Sequence, residues 1–201
     1  HYQRSFEVED VELVPFQGMP LGGYKYRMHQ LSSAVGRVQL KHYDERVAVI
    51  QKAMNYFWDE LEGVPGIKAH RPHAESGSTM GGWYAAKGLY VAEELDGLSV
   101  ARFCEAVNAE GGAFGLRPGA NPLMHLHAVL NEADIYGDGK PTRIAFSDRD
   151  LRQGIGSLPV TETLPERCLS IPWFKHYRPE VIDAYVAAIR KVAHRAKELC
   201  A

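Results

Sequence analysis

The sequence predicts an α/β fold: a two-layer sandwich in which a small, mostly antiparallel sheet carries helices on one face, with a long helix preceding it. Three patterns carry this expectation. Apolar residues recur at three- and four-residue steps from Gln30 to Glu62 and again from Pro179 to Leu199, the period of an amphipathic helix. Trp83, Ala85, Leu89 and Val91 alternate with Tyr84, Ala86, Gly88 and Tyr90, the two-residue period of a strand. The strand-like runs are separated by helices and are too few for a doubly wound sheet, which leaves the two-layer architecture.

Residues 1–29 read as a strand and loop segment that continues from a preceding domain, and residues 30–201 as one small domain. In the first segment "EVEDVELVP" sets Val8, Val11 and Leu13 among acids in the manner of a strand, and "FQGMPLGG" is a loop. From Gln30 the stripe runs through Leu31, Ala34, Val35 and Val38, then Val47, Ile50, Met54, Phe57, Trp58 and Leu61. One helix of that length exceeds the globular norm, so a bend is expected between Lys41 and Asp44, where the phase shifts through Leu40 and Tyr43. Gly36 costs about 1 kcal/mol against Ala in mid-helix, so either another backbone approaches there or the glycine is tolerated. "EGVPGI" ends the helix. A short strand over 67–71, a polar loop over 73–82 and the strand over 83–93 come next.

Ser99 suits the N-cap of a helix through Val100, Phe103, Ala106 and Val107 that stops at Gly111 and Gly112. A strand is expected over 113–116, broken by Pro118 to Pro122. "LMHLHAVLNEADI" forms a short helix, and 136–150 an exposed, turn-rich excursion. Residues 160–167 are expected as a helix and "CLSIP" as a strand. The final helix sets Val181, Ile182, Tyr185, Ile189, Val192, Ala196 and Leu199 on one stripe, with Pro179 in its first turn.

Composition removes several function classes. Hydrophobic residues at 45% and charged residues at 24% describe an ordinary globular domain of 201 residues, long enough to bury a core. Lys and Arg number 23 against 25 for Asp and Glu, so a net charge of −2 gives no general attraction to nucleic acid or to an anionic membrane. Three cysteines without CxxC spacing argue against a disulfide framework or a zinc finger and fit a reducing, cytoplasmic setting. No run approaches the ~18 apolar residues of a membrane span, and residues 1–10 are too polar for a signal peptide.

Chemistry concentrates at the junction Gly23-Tyr24-Lys25-Tyr26-Arg27-Met28. Glycines give the backbone freedom, a helix start leaves unpaired N–H groups, and Lys25 with Arg27 supply positive charge, the makings of an anion site. Exposed cations at a helix start are also common solvated decoration. His125 and His127, two residues apart, face either a metal, for which no nearby Cys or carboxylate completes the set, or hydrogen-bond partners at a helix start. His70 and His73 flank a proline as loop residues. Ser32, Ser33 and Ser147 lie in no GxSxG elbow, and the paired glycines form no Walker or dinucleotide fingerprint.

The segment "GYKYRMHQLSSAVGRVQLKHYDER" resembles the "GxNYRMxExxAAxxxxQLxxLDER" stretch of the DegT/DnrJ/StrS-type sugar aminotransferases, which use pyridoxal phosphate. "FCEAVNAEGG", "PLMHLH", "CLSIP" and the final helix come in the family's order, while 136–152 departs from it. The resemblance implies the C-terminal small domain of a fold-type I enzyme and a homodimer built through residues 23–62. It places Lys25, with Tyr26 and Arg27 beside it, on the cofactor phosphate of the neighbouring subunit. Family members often carry Asn where Lys25 stands, and a lysine still donates there as a point charge. "NPLMHLHAV" matches a "PLHL" element bordering the sugar cleft, so His125, and His127 next to it, are implied to meet substrate. In that family the Schiff-base lysine lies upstream of the junction, so this chain alone is expected to be inactive. The implied parent moves an amino group from glutamate or glutamine to a keto-sugar, one carried on a nucleotide. Two other readings stand beside it: a non-catalytic α/β binding or assembly module that kept the fold, and a metal enzyme using His125 and His127.

Overall fold

The structure is a computed structural model that describes Glu7 and residues 9–17, 28–111 and 115–200. In chain order its regular elements are α1 (Gln30–Lys41), α2 (Tyr43–Glu60), β1 (Ile67–Ala69), β2 (Lys87–Tyr90), α3 (Val100–Ala109), β3 (Arg117–Pro118), α4 (Ala128–Asn131), α5 (Pro159–Glu162), α6 (Leu164–Arg167), β4 (Cys168–Ser170), α7 (Pro179–His194) and α8 (Ala196–Leu199). They group into two compact units, one of residues 30–120 with 164–201 and one of residues 1–29 with 121–163.

The first unit is the α/β sandwich that the patterning predicts. Its four strands run in the order β1-β2-β4-β3, and every pairing is antiparallel. Met54, Phe57 and Trp58 of α2, Phe103 and Val107 of α3, and Ile182 and Ile189 of α7 are buried with Tyr90 and Leu169 of the sheet. Close packing fixes particular residues. A Cβ added at Gly88 would lie 2.6 Å from the Trp58 ring, so the indole reaches the sheet only over a glycine. The buried Tyr90 hydroxyl donates to the Leu98 carbonyl at 2.7 Å, which satisfies its one polar atom.

The long helix breaks at His42, inside the stretch where the phase shift places the bend. Among the described residues nothing approaches within 4 Å of a Cβ built on Gly36, so no described backbone of this chain requires the glycine.

The strand expected over 83–93 keeps only Lys87–Tyr90. Trp83 and Ala85 adopt left-handed backbone, with φ of 55° and 52°, because the Trp83 side chain is taken into the core, where Nε1 donates to Gln51 Oε1 of α2 at 3.0 Å. Burial of one large ring there overrides the alternation that suggests a strand. The helix expected over 160–167 is two single turns broken at Thr163, since Pro165 lacks the N–H that would bond the Thr161 carbonyl and carry the first turn on. Ala113 and Phe114 of the expected strand over 113–116 lie outside the described residues. Gly115 and Leu116 carry no strand; the strand is β3 two residues on, with Pro118 as its last residue at the edge of the sheet, where a missing donor is tolerated.

In the second unit the strand suggested by "EVEDVELVP" is replaced over its described residues by a turn and a 3-10 helix, Val14–Phe16. The Asp10 carbonyl accepts from the N–H groups of Leu13 and Val14 at 3.0 and 2.9 Å, which closes the chain on itself. The excursion after Ala133 is organised by Asp134. Its carboxylate accepts from the N–H groups of Gly137, Asp138 and Gly139 at 2.7, 3.3 and 2.7 Å, and these bonds, Gly139's first, hold its pKa below the usual carboxylate value.

Candidate functional site

Lys25, Tyr26 and Arg27 lie outside the described residues. The element C-terminal to them is α1, a helix of three turns with no acidic residue in its first turn. The positive end of its dipole is therefore not offset by a carboxylate of its own, as an anion site at that junction requires.

His125 and His127 both belong to the second unit and do different work. His125 is 5% exposed, and its Nε2 lies 3.0 Å from Glu162 Oε1. That carboxylate also accepts from the N–H groups of Gly156 at 2.8 Å and Leu158 at 3.1 Å. The two backbone donors and then His125 hold its pKa below the ordinary glutamate value. His125 is thus a buried anchor that ties the turn before α4 to the end of α5. His127 is half-buried and caps α4, its Nδ1 accepting from Val129 N–H at 3.2 Å. An accepting Nδ1 leaves the proton on Nε2, which has no partner among the described residues. Asn131 stands beside them: its amide donates to the His125 carbonyl at 2.7 Å, while its Oδ1 is buried without a partner. One imidazole N–H and one unsatisfied acceptor are what this cluster has left to offer a ligand.

Glu162 and Asn131 escape a reading of the sequence. Glu162 is 37 residues from His125, and no spacing rule joins them. The sequence signal for Asn131 is its place at the end of a short helix beginning at a histidine cap. His73 lines an open cleft of about 540 Å³ in the first unit, with Gln51, Asn55, Asp59 and Arg71. There Arg71 is already engaged, donating to Asp59 Oδ1 at 2.7 Å and Asn55 Oδ1 at 3.2 Å. Among the described residues no three His, Cys, Asp or Glu side chains gather as a metal site would need, and no helix is long and apolar enough to cross a membrane.

The chain belongs to the DegT/DnrJ/EryC1/StrS aminotransferase family, whose sequence model matches residues 16–134. It is similar in fold to the E. coli GDP-4-keto-6-deoxy-D-mannose-3-dehydratase with bound hydrated PLP, at 18% identity and a TM-score of 0.56, over 84% of this chain and 37% of that one. A DegT DnrJ EryC1 StrS aminotransferase from Brucella abortus aligns at 19% identity and a TM-score of 0.55, over 92% of this chain and 44% of that one. S. venezuelae DesV in complex with a ketimine intermediate aligns at 21% identity and a TM-score of 0.53, over 92% and 45%. The chain spans less than half the length of each of these structures.

Proposed function

We propose that this chain is the C-terminal domain of a pyridoxal phosphate-dependent sugar aminotransferase, which passes an amino group from glutamate or glutamine to a nucleotide-linked keto-sugar in the cytoplasm. The observation that carries the reading is the family match over residues 16–134, which includes the Lys25 to Arg27 junction. One of the similar structures is a dehydratase, so the fold serves both chemistries, and the choice of amino transfer rests on the family. When bound, pyridoxal phosphate supplies the electron sink for the reaction. Lys25, with Tyr26 and Arg27, donates to its phosphate across a homodimer formed through residues 23–62. His127 Nε2–H and Asn131 Oδ1 meet the sugar, a donor and an acceptor matched to hydroxyl or carbonyl groups, while His125 holds that cluster in place.

On this reading the lysine that carries the cofactor covalently belongs to a domain outside these residues. Four of the described lysines are engaged within the fold: Lys52 and Lys175 lie over the rings of Tyr177 and Trp173, and Lys68 and Lys191 pair with Glu94 and Glu110. The test is to mix the 201-residue chain with pyridoxal phosphate, reduce with borohydride and map the product by mass spectrometry. Diffuse, substoichiometric labelling is expected. Stoichiometric trapping at one lysine defeats the reading.

A further inference from the structure

We propose that the open face of the four-stranded sheet is a binding site for a dianionic phosphoryl group, held between Lys87 of β2 and Arg117 of β3, with Ser170 of β4 beneath it. The register sets up the site. Lys87 is paired with Ser170, and Ser170 with Arg117, so the three stand in one row across adjacent strands and share a face. It is the face opposite the helices, since the neighbouring row, Gly88 with Leu169, packs under Trp58 and into the core.

The charges on this face sort into paired and unpaired. Lys68 of β1 is neutralised by Glu94, at 2.6 Å, and that carboxylate is also bound by Gly66 N–H. Lys87 has only neutral acceptors: its ammonium donates to the Gly119 carbonyl at 2.5 Å and to Ser170 Oγ at 2.8 Å. The Gly119 carbonyl reaches it because that glycine lies flat on β4, where a Cβ would come within 2.5 Å of the Leu169 backbone. Arg117 is exposed and makes no hydrogen bond or ion pair among the described residues. Two full positive charges thus flank Ser170 with no carboxylate on either.

Donor geometry selects the ligand. Lys87 and Arg117 stand two strand spacings apart, about 9.5 Å along the sheet, with Ser170 between them. Lys87 Nζ already reaches Ser170 Oγ and keeps one N–H free, and because Ser170 Oγ accepts from it, the serine hydroxyl proton is left to donate outward. The guanidinium offers a planar fork suited to two oxygens of one phosphoryl group. A tetrahedral dianion turns oxygens in several directions toward point charge, hydroxyl and fork and matches two positive charges with two negative ones, whereas a carboxylate brings one charge and oxygens in a single plane.

The test needs neither cofactor nor turnover, so its outcome is separate from that of the aminotransferase reading. The 201-residue chain is titrated with inorganic phosphate, pyrophosphate and UDP, monitored by ¹H–¹⁵N NMR. Saturable shifts at Lys87, Arg117 and Ser170 are expected for at least one of the three. Equal response to pyrophosphate and UDP assigns the phosphoryl group alone as ligand, while tighter binding of UDP assigns a nucleotide as its carrier. Arg117→Ala, at an exposed position, is expected to keep the native spectrum and to bind at least tenfold more weakly, and Lys87→Met to do the same where it folds. Unchanged affinity in Arg117→Ala overturns the proposal, as do shifts confined to residues outside this row.

Discussion

At the scale of single residues, the second unit turns on one carboxylate that no local pattern reveals. Glu162 accepts from Gly156 N–H, Leu158 N–H and His125 Nε2, and all three favour its ionised form. Its pKa is therefore lower in the folded chain than the unperturbed value of about 4.3. A carboxylate depressed in this way contributes stability that is fully present above the unfolded pKa and is lost as pH falls through the folded one. A ¹³C NMR titration should place the Glu162 midpoint below about 4.3, with the amides of 156–158 losing protection as the pH drops past it. Glu162→Gln should abolish that acid-side loss. A midpoint at or above the ordinary glutamate value would show that the backbone donors do not hold the charge. The histidines are visible in the sequence as a pair. Which of them is locked and which keeps a ring N–H depends on Glu162 and on the cap of α4, both set by tertiary folding.

At the scale of elements, legibility tracks the range of the forces involved. Helices are local: the stripes of α2 and α7, the break near His42 and the Ser99 cap all rest on residues within a few positions of one another. Strands are not, and β2 shows why, because the alternation over 83–86 loses to the burial of Trp83 against α2. The Ser99 cap is the place to measure a local term. Its Oγ accepts from Arg102 N–H at 3.3 Å, and α3 puts Val100, Phe103, Cys104 and Val107 into the core. Ser99→Ala should lower stability by about 1 kcal/mol, the typical worth of an N-cap, and Ser99→Asp should restore most of it. Urea unfolding monitored by tryptophan fluorescence reads both, and equal midpoints for all three proteins would show that α3 is held by packing alone.

At the scale of the whole molecule, α1 is the element that the described residues do not account for. It is amphipathic, yet none of its residues is buried; Val35, Val38 and Leu40 are 59%, 53% and 71% exposed. Covering a Val or Leu side chain fully is worth about 1.5–3 kcal/mol, so leaving this stripe in water forgoes several kcal/mol. On the proposed reading the stripe is covered in a homodimer through residues 23–62, in an assembly whose similar structures are more than twice this chain's length. Val35→Asp then separates the two kinds of contribution. In a protein that joins this chain to its cofactor domain, the substitution should shift the dimer toward monomer in sedimentation velocity, because a charge is placed where apolar surface must be covered. In the 201-residue chain the stability read from urea unfolding should stay within about 0.5 kcal/mol of the parent, since Val35 contributes nothing to the core. A dimer that persists at full strength would remove α1 from the interface, and a large loss of stability in the isolated chain would mean that its exposed stripe is already packed.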